Sequence, residues 1–309
     1  MADLSTRLGR LRLPNPVLVA SGTFGYAREM EGVTELSRLG GIVPKTVTMA
    51  PRAGNPPPRT VETASGMLNA IGLDNDGLGH FLHHHLPYLR GVGCPVILNI
   101  AAKAEDEFPA MAAMARGLEG IAALELNLSC PNVAGGIDFA TNPQACGRVV
   151  RSCRDACPSL PIIAKLTPLV TDLPAIARSA ADSGADAVSL TNTFPGIVLD
   201  WRRRRPYLGN GPGGLSGPAI KPLSLRCVWN VARAVPGLPI VGIGGIATID
   251  DVMDYLVAGA SAVQMGTVNF YDPGAALRAI EALPGALGAL GVASIAEAVG
   301  CAAGWKPRA

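Results

Sequence analysis

A single-domain α/β fold, a (β/α)8 TIM barrel over residues 1–309 with a short N-terminal hairpin, is what this sequence predicts. Three observations carry that expectation: eight short apolar runs, helical stretches between them, and polar or glycine residues at the run ends. Most of the runs are continuously apolar rather than alternating, as in parallel strands buried on both faces. Strand alternating with helix eight times is the barrel pattern. A doubly wound open sheet is the alternative, because alternation alone does not show closure.

In chain order, Leu8 to Leu13 reads as an extra hairpin placed to cover the bottom of the barrel. Strands are expected at Pro16 to Ala20, Gly41 to Val47, Pro95 to Ile100, Ala122 to Leu128, Pro161 to Leu166, Ala185 to Leu190, Pro239 to Ile243 and Ser261 to Met265, each rich in β-branched or other apolar residues. Amphipathic helices are expected at Glu107 to Leu118, Leu173 to Ser183, Leu223 to Ala234 and Ile249 to Leu256. The length alone would allow two domains, but barrels of this kind commonly fill it as one. With 49% hydrophobic and 16% charged residues and a mean hydropathy of +0.30, the chain has ample apolar surface for one large core.

A net charge of +2 argues against nucleic acid or a membrane as the main partner, since both select a concentrated basic patch. The basic run Arg202 to Arg205 sits in a Pro/Gly-flanked loop, read as solvated, with a protein or anion contact as the alternative. The first residues lack the basic region and apolar run of a secretion signal. No stretch approaches the ~20 apolar residues of a spanning helix. Seven cysteines with no C-x-x-C pair suggest neither a disulfide framework nor a cysteine-rich metal site, and a cytoplasmic location with reduced thiols is expected.

Active sites in this fold gather where strands end. There stand Ser21, Lys45, Asn99, Asn127 with Cys130, Lys165, Asn192 with Thr193, Gly244 with Gly245, and Gly266 with Thr267. Two lysines at the ends of apolar strands each call for an anion or an electron-rich group, because an unpartnered buried ammonium is costly. In Glu125 to Asn132 an apolar strand runs into amides with a thiol among them, and Pro131 stops regular pairing. Cys130 therefore reads as presented for reaction; the competing reading is a small buried apolar residue. A loop over Val133 to Phe139 is placed to act as a lid.

The turns Ile243 to Ile246 and Met265 to Thr267 bring backbone N–H groups together at the usual phosphate site of the fold. The loop Gly211 to Gly217 adds amides on the same side or is simply flexible. With a phosphate there, Lys165 would reach the ring of a bound cofactor, where a cation stabilises a reduced flavin, or else hold a substrate anion. His80, His83, His84 and His85 lack an accompanying cysteine or H-E-x-x-H pattern, so an exposed helix face is expected and no metal. Cys153 and Cys157 read as helix-packing residues.

These residues carry a resemblance. The segments Ala20 to Gly25, Pro51 to Arg59, Gly66 to Leu73, Asn127 to Asn132 and Gly213 to Pro222 are similar to the motifs of class 1 dihydroorotate dehydrogenases, type 1B. The similarity runs from about Leu4 to about Glu297. It implies a single FMN-binding domain that oxidises dihydroorotate to orotate in pyrimidine synthesis. Position by position, it implies FMN contacts at Ser21, Lys45, Thr46, Asn99, Asn127, Lys165, Thr191, Gly217, Gly244, Gly245, Gly266 and Thr267. It implies substrate contacts at Lys45, Asn69, Ala70, Ile71, Gly72, Leu73, Asn127, Asn192 and Thr193, and Cys130 as the base. Two positions depart from the pattern: Pro44, which has no N–H, and Thr191, where an aliphatic residue is more usual.

The chain carries no Rossmann G-x-G-x-x-G and no cysteine cluster for iron–sulfur, so the electron acceptor must come to it. The resemblance implies a separate subunit with FAD and a 2Fe–2S cluster that reduces NAD, in a heterotetramer built on a homodimer of the catalytic chain. Fumarate and a quinone stay open as acceptors. A flavin enzyme of another dihydropyrimidine and a non-catalytic phosphate-binding barrel are the rival readings.

Overall fold

A computed structural model describes residues 2–129 and 139–305. Cys130 and nearly all of the expected lid, 133–138, lie outside the described residues.

Two short strands, β1 (Thr6–Leu8) and β2 (Leu11–Leu13), form the expected hairpin. The barrel strands are β3 (Val17–Val19), β4 (Gly41–Ile42), β7 (Ile97–Ile100), β8 (Ala123–Asn127), β9 (Ile162–Leu166), β10 (Ala187–Leu190), β15 (Ile240–Ile243) and β16 (Ala262–Met265). All pair in parallel, in the order β4-β3-β16-β15-β10-β9-β8-β7. Parallel bridges Ile42–Val96 and Val47–Ile100 join the two ends of this order. The sheet therefore closes, and the open-sheet alternative falls.

The expected strand Gly41 to Val47 is reduced to two residues and a later bridge. Pro44 has no N–H to give a ladder, and its carbonyl instead accepts the Ser21 hydroxyl at 2.8 Å. Leu8, Leu11 and Leu13 are buried against Leu18, Val43, Ile97 and Ala123, which face the barrel interior, so the hairpin plugs the bottom.

Helices α3 (Glu107–Ala115), α4 (Pro143–Ala156), α5 (Leu173–Asp182), α6 (Lys221–Ala234), α7 (Ile249–Ala258) and α8 (Ala275–Leu290) surround the sheet, and a short α9 (Ile295–Ala298) follows. Asn142 caps α4 by accepting the Ala145 N–H, and Thr248 with Asp251 forms a capping box on α7. Cys153 and Cys157 are fully buried, and burial pushes the Cys153 thiol up to about 12, which suits packing and not ligation. Between β4 and β7 the chain forms α1 (Gly77–His80), a π-helical turn over Phe81–His85, and α2 (Leu86–Leu89).

Two insertions meet above the carboxyl ends of the strands. β5 (Thr60–Thr63) and β6 (Gly66–Asn69) follow β4, while β11 (Phe194–Gly196) and β14 (Gly213–Ser216) follow β10. Together they make an antiparallel sheet in the order β11-β14-β6-β5. The glycine segment expected as a loop thus holds a strand, because Gly214 and Leu215 pair with Asn69 and Leu68. β12 (Leu199–Asp200) and β13 (Arg205–Pro206) pair beside it, and Arg202, Arg203 and Arg204 in their turn are exposed. No helix among the described residues is long and apolar enough to cross a membrane.

Asp186, just before β10, ties the plug to the barrel. It accepts from Arg10 Nε at 2.8 Å, Arg154 at 2.5 Å and the Ile162 N–H at 2.9 Å. A side chain on Gly9, whose φ is +58°, would sit 2.7 Å from the Asp186 Cβ, so glycine is required at that turn. Burial raises the Asp186 pKa, but the Arg10 bond, the Ile162 N–H and Arg154 outweigh it and hold the carboxyl below its usual range. A carboxylate lowered on folding adds stability above its unfolded pKa, near ~3.9, and loses it as pH falls through the folded value. Asp186→Asn is therefore expected to lower the melting temperature at neutral pH, with the gap to the parent narrowing in acid. A gap that stays constant from neutral pH into acid would refute this ion-pair role.

Candidate active site

The carboxyl ends of the barrel strands and the inserted sheet enclose a cavity of about 640 Å3. Its floor is set by strand register. Asn127 at the end of β8 lies beside Lys165 on β9, and side chains two residues apart on a strand share a face. Glu125 therefore sits directly below Asn127, inside the barrel and fully buried.

A carboxylate at that depth needs partners. Glu125 accepts from Asn99 Nδ2 at 2.5 Å, Ser189 Oγ at 2.8 Å and Gln264 Nε2 at 2.7 Å, and the Lys165 ammonium lies 3.8 Å away. Lys165 meets an anion, as expected, and that anion belongs to the protein. Among the described residues, Asn99 Oδ1 and Gln264 Oε1 are buried without a partner.

Lys45 differs. Burial holds its pKa below the usual lysine range, with Asp74 pulling it back up, and among the described residues it makes no ion pair. Its backbone N–H is used by the Gly25 carbonyl at 2.8 Å, so the side chain alone serves the cavity. A half-buried ammonium with no paired acid among the described residues is suited to an anionic ligand such as a carboxylate. Beside it the hydroxyls of Ser21 and Thr46 are 3.0 Å apart.

On the opposite side the turns after β15 and β16 form a cradle. Gly245 has φ +67°, and a Cβ there would come within 2.8 Å of the Gly217 carbonyl. Among the described residues, the N–H groups of Gly244, Gly245 and Gly266 have no protein acceptor. Convergent free amides at this position fit a phosphate. Lys221 nearby is already paired with Asp251 and Asp254, so the cradle relies on backbone donors.

Between the two anion sites lie three carboxamides. Asn192 Nδ2 donates to Asn127 Oδ1 at 3.2 Å, and Asn69 Nδ2 to the Gly214 carbonyl at 3.3 Å. Such groups suit a ring whose edge alternates carbonyl oxygens and N–H groups. Leu73, at the end of the Asn69–Leu73 loop, holds a left-handed φ of +58°, a costly conformation for a non-glycine residue that its place in the cavity wall accompanies. The Thr191 hydroxyl lies 3.1 Å from Ser224 Oγ, which absorbs the polar group that departs from the resembled pattern.

Of the residues expected in a site, the cavity brings together all that are described except Asn99, which lies beneath it and touches Glu125. Cys130 follows Ser129, a cavity residue whose buried hydroxyl has no partner among the described residues. Ser129, Asn55 and Thr167 also line the cavity without having been singled out. Ser129 had a signal in its place beside the thiol; Asn55 arrives on a long insertion with no periodicity to read.

Comparison with known proteins adds to this geometry. A family model described as dihydroorotate dehydrogenase matches residues 3–287. A protein of Geotalea uraniireducens (strain Rf4) is 47% identical over 299 residues, 96% of this chain and 97% of the relative. One of Geobacter sulfurreducens is 48% identical over 299 residues, 96% and 97% of the two chains. One of Desulforudis audaxviator (strain MP104C) is 50% identical over 293 residues, 94% and 95%. Each of the three is named dihydroorotate dehydrogenase B (NAD(+)), catalytic subunit.

Proposed function

The chain belongs to the dihydroorotate dehydrogenase family, and we propose that it is the FMN-binding catalytic subunit oxidising (S)-dihydroorotate to orotate in pyrimidine (UMP) synthesis. The observation that carries the reading is one cavity with three matched parts: a free-amide cradle, a buried cation above Glu125, and a second cation that makes no ion pair among the described residues. The first suits the FMN phosphate, the second its ring, the third the substrate carboxylate.

FMN, when bound, supplies the acceptor for the hydride leaving C6 of the substrate. The chain's own residues do the rest. Gly244, Gly245, Gly266 and Thr267 hold the phosphate, and Ser21, Thr46, Thr191 and Gly217 line the remaining FMN surface. Lys165, held by Glu125, would meet the ring portion of FMN. Asn99 keeps the FMN contact that the resemblance implies, and its amide N–H also orients Glu125 and so Lys165. Lys45 takes the carboxylate, the Asn69–Leu73 loop with Asn127, Asn192 and Thr193 reads the ring edge, and Cys130 removes the C5 proton. Loss of that proton and of the C6 hydride leaves the C5–C6 double bond of orotate.

Electrons leave by a partner. We infer a homodimer of this chain joined by a subunit carrying FAD and a 2Fe–2S cluster that reduces NAD, in the cytoplasm; the words catalytic subunit and NAD(+) in the relatives' names support this. The free state of all six described cysteines suits a reducing compartment.

The test is the visible spectrum of the purified chain before and after anaerobic dihydroorotate. Bleaching of a flavin band near ~450 nm is expected. A yellow protein that bleaches only with another dihydropyrimidine would replace the substrate, and a colourless one unable to take up FMN would overturn the reading.

A further inference from the structure

The histidine-rich helix that follows the substrate loop is built around a π-helical turn, Phe81–His85, in which the Leu86 N–H donates to the Phe81 carbonyl five residues back. In an uninterrupted α-helix each residue turns ~100°, so residues four apart share a side and residues five apart diverge by ~140°. His80 would then pair with His84 alone. The π turn adds a residue to the winding and carries His85 round to the side of His80. Asp76, at the start of α1 and four residues before His80, lies on the same side.

The outcome is a cluster in which one ligand atom each from Asp76, His80 and His85 lies within 4.8 Å of the others. His80 Nε2 is 3.9 Å from Asp76 Oδ2, and the His80 and His85 ring centres are 5.2 Å apart. The His85 ring is set by stacking on Tyr26 at 3.7 Å. Its Nε2 is buried yet has no hydrogen-bond partner among the described residues, a state that polar nitrogens avoid. The sequence-based expectation of a plain exposed helix face rested on the want of a carboxylate, and Asp76 supplies one.

We propose that Asp76, His80 and His85 form a binding site for a divalent transition ion of the zinc or nickel type, in a second pocket region that adjoins the catalytic cavity, since Asp76 lines a pocket that shares Lys45 and Ile71 with it. Two imidazoles and one carboxylate are the donor set such borderline ions take, and the exposed side of Asp76 and His80 leaves further positions to water. The bound ion fastens the segment after the substrate loop to the helix. Asp76 stands three residues beyond Leu73, and its neighbour Asn75 is already anchored through Thr48 and Gly77.

The experiment titrates the FMN-loaded protein with ZnCl2 and separately NiCl2 by calorimetry, with melting temperatures read in parallel. One ion per chain and a raised melting temperature are expected. Asp76→Asn, His80→Ala and His85→Gln should each weaken binding by roughly tenfold or more, as loss of a ligand demands, and His83→Ala and His84→Ala should leave it unchanged. His85→Gln keeps a ring-sized polar side chain against Tyr26, and its melting temperature without metal separates lost binding from lost folding. Binding that survives His85→Gln but not His84→Ala would mark an ordinary pair of surface histidines, and the absence of a saturable site in the parent would likewise overturn the proposal.

Discussion

Cys130→Ser is expected to lower dihydroorotate turnover by roughly 10²-fold or more while the purified protein stays yellow. The thiol's ordinary pKa near ~8.5 makes it a workable base close to neutrality, whereas a serine hydroxyl ionises far less readily. None of the groups assigned to FMN is altered by the change, so cofactor content should be kept. Cys130 lies three residues beyond Asn127 and one beyond Ser129, both at the cavity wall. Because the thiolate is the active form, the parent rate should fall as pH drops through the thiol pKa. Serine should remove that limb from the profile. Single-turnover flavin reduction, followed by stopped flow, isolates this step from electron transfer to any partner. A serine variant that reduces at the parent rate would take the base away from Cys130.

The second large effect concerns stability. Glu125→Leu is expected to cost about 3–5 kcal/mol, because it leaves the Lys165 ammonium buried beside an apolar side chain. It also strands the donors of Asn99, Ser189 and Gln264, which now converge on the carboxylate. Glu125 is fully buried and Lys165 nearly so, hence water cannot take over either role. Adding Lys165→Met to Glu125→Leu should recover much of the loss, since an apolar pair of similar volume often replaces a buried ion pair at little cost. The double variant should still bind FMN poorly. Urea denaturation of the three proteins decides the matter: a Glu125→Leu variant within about 0.5 kcal/mol of the parent would mean that the pair is not coupled.

The barrel was legible because its signals are local. Eight apolar runs bounded by polar or glycine residues report strands wherever the chain places them, and all eight were found. What failed were features set by pairing between distant segments. Gly213–Ser216 has no apolar alternation to mark a strand; it becomes one because β6, more than a hundred positions earlier, offers it a ladder. Gly41 to Val47 looked like one strand, but the missing N–H of Pro44 shortens it. Asn99 belongs by residue type to the polar group at the strand ends, yet its depth depends on the stagger of β7 against β8, which no local pattern encodes.

From its sequence alone, then, this protein declares a parallel α/β barrel, the side on which its polar groups collect, and the motifs of its family. Those follow from periodicity and residue type, which act over a few neighbours. Only the tertiary structure decided that Glu125 answers Lys165 while Lys45 makes no ion pair among the described residues, and that Asp76 and His85 share a side of one helix. Charge pairing at 3–4 Å depends on strand stagger and helix winding, and a single residue of slip in either would send the same side chains elsewhere.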